Sequence, residues 1–190
     1  LYQDKIYGGS YSGGYLWEFD PATSVHTELI HGMLDEYYQA RVHGLTVGDN
    51  KVFFSTVPST SGLGGCLGWW NLETGEWEYM EKNLVQDQIF ISIHYDEKTD
   101  LLYAASSIAG GSKAKSTATE AVIMVFDVAE KKKLGEFSVR AEANPDSDMV
   151  FDLEAGAVIP EYISCVTQDP ATGEYAVTPG IATLVVTGTI

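Results

Sequence analysis

The richest run of side chains able to hold a ligand is Tyr37-Tyr38-Gln39-Ala40-Arg41-Val42-His43, which gathers two aromatic rings, an amide, a guanidinium and an imidazole. Gln88, in Gln86-Asp87-Gln88-Ile89, adds a second amide, and Tyr11, in Ser10-Tyr11-Ser12-Gly13-Gly14, adds another ring. This set suits non-covalent recognition. Aromatic faces cover the apolar faces of sugars, and a few convergent polar groups fix orientation. Arg41, His43, Gln39, Gln88, Tyr37, Tyr38 and Tyr11 are therefore the candidate ligand-binding residues, with Trp17 as a further ring. Covalent chemistry has less to work with. There is no Gly-x-Ser-x-Gly elbow, and neither Cys66 nor Cys165 has an evident His partner. The histidines, His26, His31, His43 and His94, lack the spacing of a zinc helix or knuckle, so no metal or cofactor is expected. No catalytic residue is assigned.

Composition narrows the partners. The chain has 190 residues, 27 acidic against 11 basic, and a formal charge of −16, which argues against nucleic acid and anionic membrane surfaces because both require clustered Lys and Arg. With 45% hydrophobic residues the chain can build a core, yet no stretch approaches the roughly 18 apolar residues of a membrane helix, so membrane insertion is not expected. Two cysteines in apolar segments read as buried thiols rather than a disulfide framework. The acidic balance reads first as a soluble acidic surface and, more sharply, as an extracellular, cell-surface or salt-tolerant setting.

The candidates must be positioned by a repeat. A short apolar strand recurs at Lys5-Ile6-Tyr7, Lys51-Val52-Phe53-Phe54 and Leu101-Leu102-Tyr103-Ala104. Each is followed by a Ser/Gly-rich loop, at Ser10 to Gly14, Ser55 to Gly65 and Ser106 to Glu120. A second strand then ends in an aromatic residue and a turn, at Trp17 to Pro21, Trp69 to Gly75 and Met124 to Val128. A more polar strand comes next, at Val25 to Ile30, Glu76 to Met80 and Lys133 to Val139, and an apolar strand leads into the following unit, at Arg41 to Val47, Ile89 to Tyr95 and Tyr162 to Thr167. Tyr7 and Phe53 are 46 residues apart, and Phe53 and Tyr103 are 50. Four short strands at such a period predict an all-β chain of β-propeller blades. A small twisted sheet hides one face only by stacking on the next. Asp20-Pro21-Ala22-Thr23, Asn71-Leu72-Glu73-Thr74-Gly75 and Asp169-Pro170-Ala171-Thr172-Gly173 supply Asx-led turns. Short helical turns are predicted within Asp35 to Ala40 and Glu78 to Gln86.

These aromatic-Asx turns make the chain resemble the broad propeller superfamily of kelch, WD-like and quinoprotein-like repeats. The Trp-Asp pair of true WD repeats and the sialidase-type Ser-x-Asp-x-Gly-x-x-Trp box are absent, so the resemblance stops at the superfamily. With blade strands labelled a to d outward from the axis, the chain reads as b–d, a–d, a–d and a–c, or three, four, four and three strands. Strands b and c are duplicated at the two ends, so the phases do not mesh into one closed ring. The expectation is one propeller region over residues 1–190 that forms a partial ring, completed by further blades of the same protein or by self-association. Asn144 to Pro160 interrupts the period and carries Asp146, Asp148, Asp152 and Glu154. It is read as an acidic surface insertion, because the central glycine of a calcium loop is missing.

Loops joining b to c and d to a share one face of a propeller, its mouth, which puts the candidate residues there. Two functions follow. The first is a binding module for carbohydrate or protein. The alternative is the catalytic propeller domain of a polysaccharide lyase or hydrolase, in some of which axial histidines and glutamine hold a metal. Here only His43 and Gln88 could play that part. Fold alone does not choose between the two.

Overall fold

Short apolar runs between Asx-led turns give a chain that is almost wholly β. The computed structural model describes residues 1–138 and, beyond them, the strands at 141–142, 157–158, 163–168, 175–179 and 184–185. A first sheet pairs β1 (Ile6–Gly9), β2 (Leu16–Asp20) and β3 (Val25–Ile30). A second pairs β4 (Gln39–Gly48), β5 (Lys51–Pro58), β6 (Cys66–Asn71) and β7 (Glu76–Lys82), and a third pairs β8 (Ile89–Asp96), β9 (Leu101–Ser107), β10 (Val122–Asp127) and β11 (Lys132–Ser138). A two-stranded pair follows, β12 (Ala141–Glu142) with β13 (Ala157–Val158), and then a three-stranded sheet of β14 (Ile163–Gln168), β15 (Tyr175–Pro179) and β16 (Leu184–Val185). Every pairing is antiparallel between sequence neighbours. The strand phases b–d, a–d, a–d and a–c are those the repeat predicts. The predicted insertion, with Asp146, Asp148, Asp152 and Glu154, lies outside the described residues apart from β13.

The turns behave as their side chains dictate. Asp20 Oδ1 accepts the amides of Ala22 at 2.8 Å and Thr23 at 3.3 Å. Asn71 Oδ1 accepts those of Glu73 at 2.9 Å and Thr74 at 3.1 Å, and Gly75 takes the positive φ of 67° that finishes the turn. The turn at Asp169 to Gly173 lies outside the described residues.

Burial is graded across each sheet. β5 and β9 are buried at every position but their first, whereas β3, β7 and β11 are largely exposed. Central strands are therefore covered on both faces, which a lone sheet cannot achieve. Phe53, Leu67 and Trp69 of the second sheet share one core with Phe90, Ile93, Tyr95, Leu102, Met124 and Phe126 of the third. Phe53 stacks on Tyr95 with ring centroids 4.5 Å apart, and Phe126 meets Tyr79 at 5.5 Å and Trp69 at 6.2 Å. On its other face the second sheet packs Val42, Val52 and Phe54 against Leu16, Ile30 and Met33. Trp69 and Trp70 alternate faces along β6: Trp69 enters the core with the third sheet, and Trp70 packs against the core with the first. β14 packs on β8 and β9, continuing the stack.

One polar device repeats with the sheets. Thr56 Oγ1 donates to Gln39 Oε1 at 2.7 Å and accepts the Cys66 amide at 2.9 Å. One blade later Ser106 Oγ donates to Gln88 Oε1 at 2.5 Å and accepts the Val122 amide at 2.7 Å. Each glutamine Nε2 then donates to a carbonyl just before strand c, Gly64 at 3.5 Å and Glu120 at 3.1 Å. The same three-strand clamp thus ties the starts of a and c to the end of b in both blades. A separate bridge crosses between blades: Ser55 Oγ accepts the Gly44 amide at 2.9 Å and donates to the Phe90 carbonyl at 2.7 Å.

The helical turns are only partly as predicted. α1 (Met33–Tyr37) forms one residue pair earlier than expected at its start. Glu78 onward continues as strand β7 to Lys82, because Tyr79 is needed flat against Trp69, 4.3 Å between centroids. Cys66 is a buried free thiol, as the sequence suggests, while the side chain of Cys165 lies outside the described residues.

Two predictions follow from this frame. Thr56→Ala or Ser106→Ala leaves a buried amide oxygen and a backbone N–H unmet, so each should lower unfolding free energy by about 1–3 kcal/mol in denaturant titrations, with Thr56→Ser recovering most of the loss. Burial also pushes the Cys66 thiol from 9.0 up to about 11. The unfolded thiol therefore ionises first, and the stability this group contributes is whole below pH 9 and falls as pH rises toward 11. Cys66→Ala should show a shallower alkaline decline than the parent in the same titration.

Candidate functional site

The b–c loops do not hang free. In the first, Ser10 N–H donates to the Tyr15 carbonyl at 3.0 Å, Gly13 N–H to Ala40 at 3.0 Å and Val42 N–H to Ser10 at 3.4 Å, while Tyr11 and Arg41 form a β-bridge. Gly13 and Gly14 turn the chain there at φ of 116° and 66°, and Gly14 sits so near the Gln39 carbonyl that a side chain would collide with it. In the second loop, Ser59 N–H donates to the Tyr38 carbonyl at 2.8 Å, which fixes the loop to the end of α1. The third loop lies on the second: Gly111 N–H donates to Gly62 at 2.9 Å and Lys113 N–H to Thr60 at 2.6 Å. A Cβ on Gly111 would strike the Ser59 carbonyl, so glycine is what allows this contact. Glycines in these loops let the loops approach one another.

Together these loops enclose a hollow of about 210 Å³. Tyr11, Ser12 and Gly13 come from the first b–c loop, Leu34 from α1, Ala40 and Arg41 from the start of strand a in the second blade, Pro58, Ser59 and Thr60 from its b–c loop, and Ser112 from the third. Arg41 lies over the Tyr11 ring, its guanidinium carbon 4.7 Å from the centroid. Tyr11 is still 74% exposed, so the ring face away from Arg41 is open to solvent. Arg41 Nε is enclosed and has no hydrogen-bond partner, and none of the ion pairs among the described residues includes Arg41. Ser12, Ser59, Thr60 and Ser112, each bearing a hydroxyl, complete the lining, and among the described residues no Asp or Glu borders it.

The structure brings Arg41 and Tyr11 together and separates the remaining candidates. Gln39 and Gln88 were expected to face the mouth as polar residues at the start of strand a. They are instead 0% and 6% exposed, their amides committed to the clamp with Thr56 and Ser106. Tyr37 turns away to stack on Trp77, 5.5 Å between centroids, and burial raises its hydroxyl above the ordinary tyrosine range, with the Glu36 carboxylate adding to the shift. Tyr38 stays exposed in a left-handed conformation at the end of α1. His43, also exposed, donates from Nδ1 to the Ile91 carbonyl of the next blade at 3.2 Å. Trp17 packs beside His26 on the far face of the first sheet, 5.5 Å between centroids. The sequence does not distinguish Ser59, Thr60 and Ser112 from the other hydroxyl residues of their loops. Loop composition marks a b–c loop but not which of its residues borders the hollow.

Two other hollows have the opposite character. One of about 430 Å³ is bordered by Asp87, Glu120 and Glu136 beside the start of the third blade. Another, of about 520 Å³, lies at the a–b turns and is bordered by Asp49, Glu97 and Asp100. Among the described residues no three His, Cys, Asp or Glu side chains are grouped so as to hold a metal ion.

No family model matches the chain, and no curated protein matches it. Solved structures do. The computationally designed protein Ika4 superposes with a TM-score of 0.57 at 10% identity, over 98% of this chain and 88% of its own. A protein described as a 6-phosphogluconolactonase from Bacteroides fragilis NCTC 9343 gives 0.53 at 15% identity, over 91% of this chain and 44% of its own. The quinohemoprotein alcohol dehydrogenase ADHIIG from Pseudomonas putida HK5 gives 0.50 at 12% identity, over 93% and 42%. The chain spans less than half the length of these last two. At such identities the likeness concerns the fold, and the fold is a run of β-propeller blades.

The loop packing is testable directly. Gly111→Ala should push the third b–c loop off the second, and exchange of the Lys113 amide should accelerate at least tenfold, or about 1.4 kcal/mol of local stability. Unchanged exchange at Lys113 would mean that the loops are not held by this contact.

Proposed function

We propose that the chain is a carbohydrate-binding propeller module whose site is the hollow beneath Tyr11 and Arg41. The observation that carries this reading is convergence: three b–c loops and the start of one strand a, from three successive blades, close on one small space. Its lining matches the two faces of a sugar. The open side of the Tyr11 ring suits an apolar C–H face, and the Ser12, Ser59, Thr60 and Ser112 hydroxyls suit the sugar's own hydroxyls. At about 210 Å³ the hollow is smaller than the roughly 300–1,000 Å³ of a site that swallows a drug-sized ligand, so it takes one ring and leaves the rest of an oligosaccharide along the loops. The loops are anchored before any ligand arrives, which reduces the ordering cost of binding.

A glycan array probed with the intact chain, followed by calorimetry on the best glycan, tests the reading. Tyr11→Ala should weaken binding about tenfold, the upper end of what an aromatic stack supplies, and Tyr11→Phe should retain it. An array without a bound glycan, or Tyr11→Ala with undiminished affinity, contradicts the proposal. Capture of a protein ligand that ignores both variants would place recognition elsewhere on the surface.

A further inference from the structure

Resting on the carbohydrate reading above, we infer that the ligand of this hollow is an acidic saccharide, whose carboxylate is received by Arg41. The first argument is charge placement. The chain carries −16 overall, and two other hollows among the described residues are edged by Asp87, Glu120 and Glu136 in one and Asp49, Glu97 and Asp100 in the other. The loop hollow reverses this, with Arg41 in its lining and no Asp or Glu among the described residues that border it. In so acidic a chain an arginine would readily find an internal carboxylate, yet Arg41 has no ion-pair partner among the described residues and lies over the Tyr11 ring.

The second argument is the state of its donors. Arg41 Nε is enclosed without an acceptor, so the resting stack leaves a donor of the guanidinium fork unmet. A guanidinium offers its N–H groups as a planar fork that a carboxylate accepts through two parallel bonds, whereas a neutral hydroxyl satisfies one donor at a time. A modest swing of the guanidinium from the Tyr11 ring toward an incoming carboxylate supplies the missing acceptor. It also frees more of the ring for the sugar that carries the acid. The seryl and threonyl hydroxyls around the rim then hydrogen-bond the sugar hydroxyls without competing for the charge. A tetrahedral sulfate ester would use the same fork, and the test separates the two.

The probes are uronic-acid and sialic-acid oligosaccharides, each as free acid and as methyl ester, with sulfated and neutral oligosaccharides, sodium acetate and sodium sulfate alongside, titrated into the intact chain. The free acids should bind at least about tenfold more tightly than their esters, and added salt should weaken them selectively. Arg41→Gln should erase the acid-over-ester preference, and Arg41→Lys should keep part of it, since the charge remains and the fork is lost. Thermal unfolding of both variants verifies the fold, and Arg41→Lys carries the comparison if Arg41→Gln unfolds. Esters and neutral glycans bound as tightly as acids would overturn the acidic-saccharide inference and leave the carbohydrate reading standing. Sulfated glycans preferred over carboxylated ones would overturn the carboxylate assignment. Acetate or sulfate alone binding as tightly as any oligosaccharide would overturn both readings, as would failure of every glycan to bind. An unchanged acid-over-ester ratio in a folded Arg41 variant would remove Arg41 from the site.

Discussion

A four-stranded sheet with two apolar faces has to be covered twice. Among the described residues most of the covering surface is another sheet, with Met33 of α1 joining the first sheet against the second. Phe53, Leu67 and Trp69 on one face of the second blade, and Val42, Val52 and Phe54 on the other, leave no face for solvent. The aromatic contacts across the gap fix the rotation and spacing of the blades. From that spacing comes everything at the mouth, since loops of 46- to 50-residue-spaced units meet only if the sheets beneath them are held in step.

Face-to-face burial is non-directional and would tolerate sliding. Directional contacts remove that freedom. Ser55 links strand a of the second blade to the Phe90 carbonyl of the third, and the Gln39–Thr56 and Gln88–Ser106 clamps tie three strands within each blade at the end nearest the mouth. Buried polar groups of this kind tolerate little displacement, because each displaced atom would be left without a partner. The clamps hold the roots of the b–c loops, which bring Ser59, Thr60, Ser112 and Tyr11 to the hollow where the proposed ligand would sit.

Much of this organisation is readable from residue order alone. Strand order, blade phase and Asx turns all declare themselves, since alternation and turn chemistry are local. Arg41 and Tyr11 are also visible as binding candidates, because a cation and a ring at neighbouring loop roots carry a local meaning. Gln39 and Gln88 show where local reasoning ends. A polar residue opening an inner strand can face the axis or bond inward, and only a partner decides. The clue was present, since Gln39 and Gln88 recur 49 residues apart in step with Thr56 and Ser106, 50 apart. Tyr37 was drawn away by Trp77, a residue forty positions distant, and the helical turn expected after Glu78 gave way to the stack of Tyr79 on Trp69. Contacts between loops of different blades leave no periodic trace at all, so the docking of Gly111 on Ser59 could be found only in three dimensions.

The claim on which the rest stands is that consecutive sheets cover each other with aromatic side chains in direct contact. A double-mutant cycle on Phe53→Leu and Tyr95→Leu, read by denaturant unfolding, measures that contact between the second and third blades. A stacked pair 4.5 Å apart predicts a coupling of about 0.5–1.5 kcal/mol. Effects that simply add, within about 0.3 kcal/mol, would show that the two rings do not touch and that the sheets are not stacked as described.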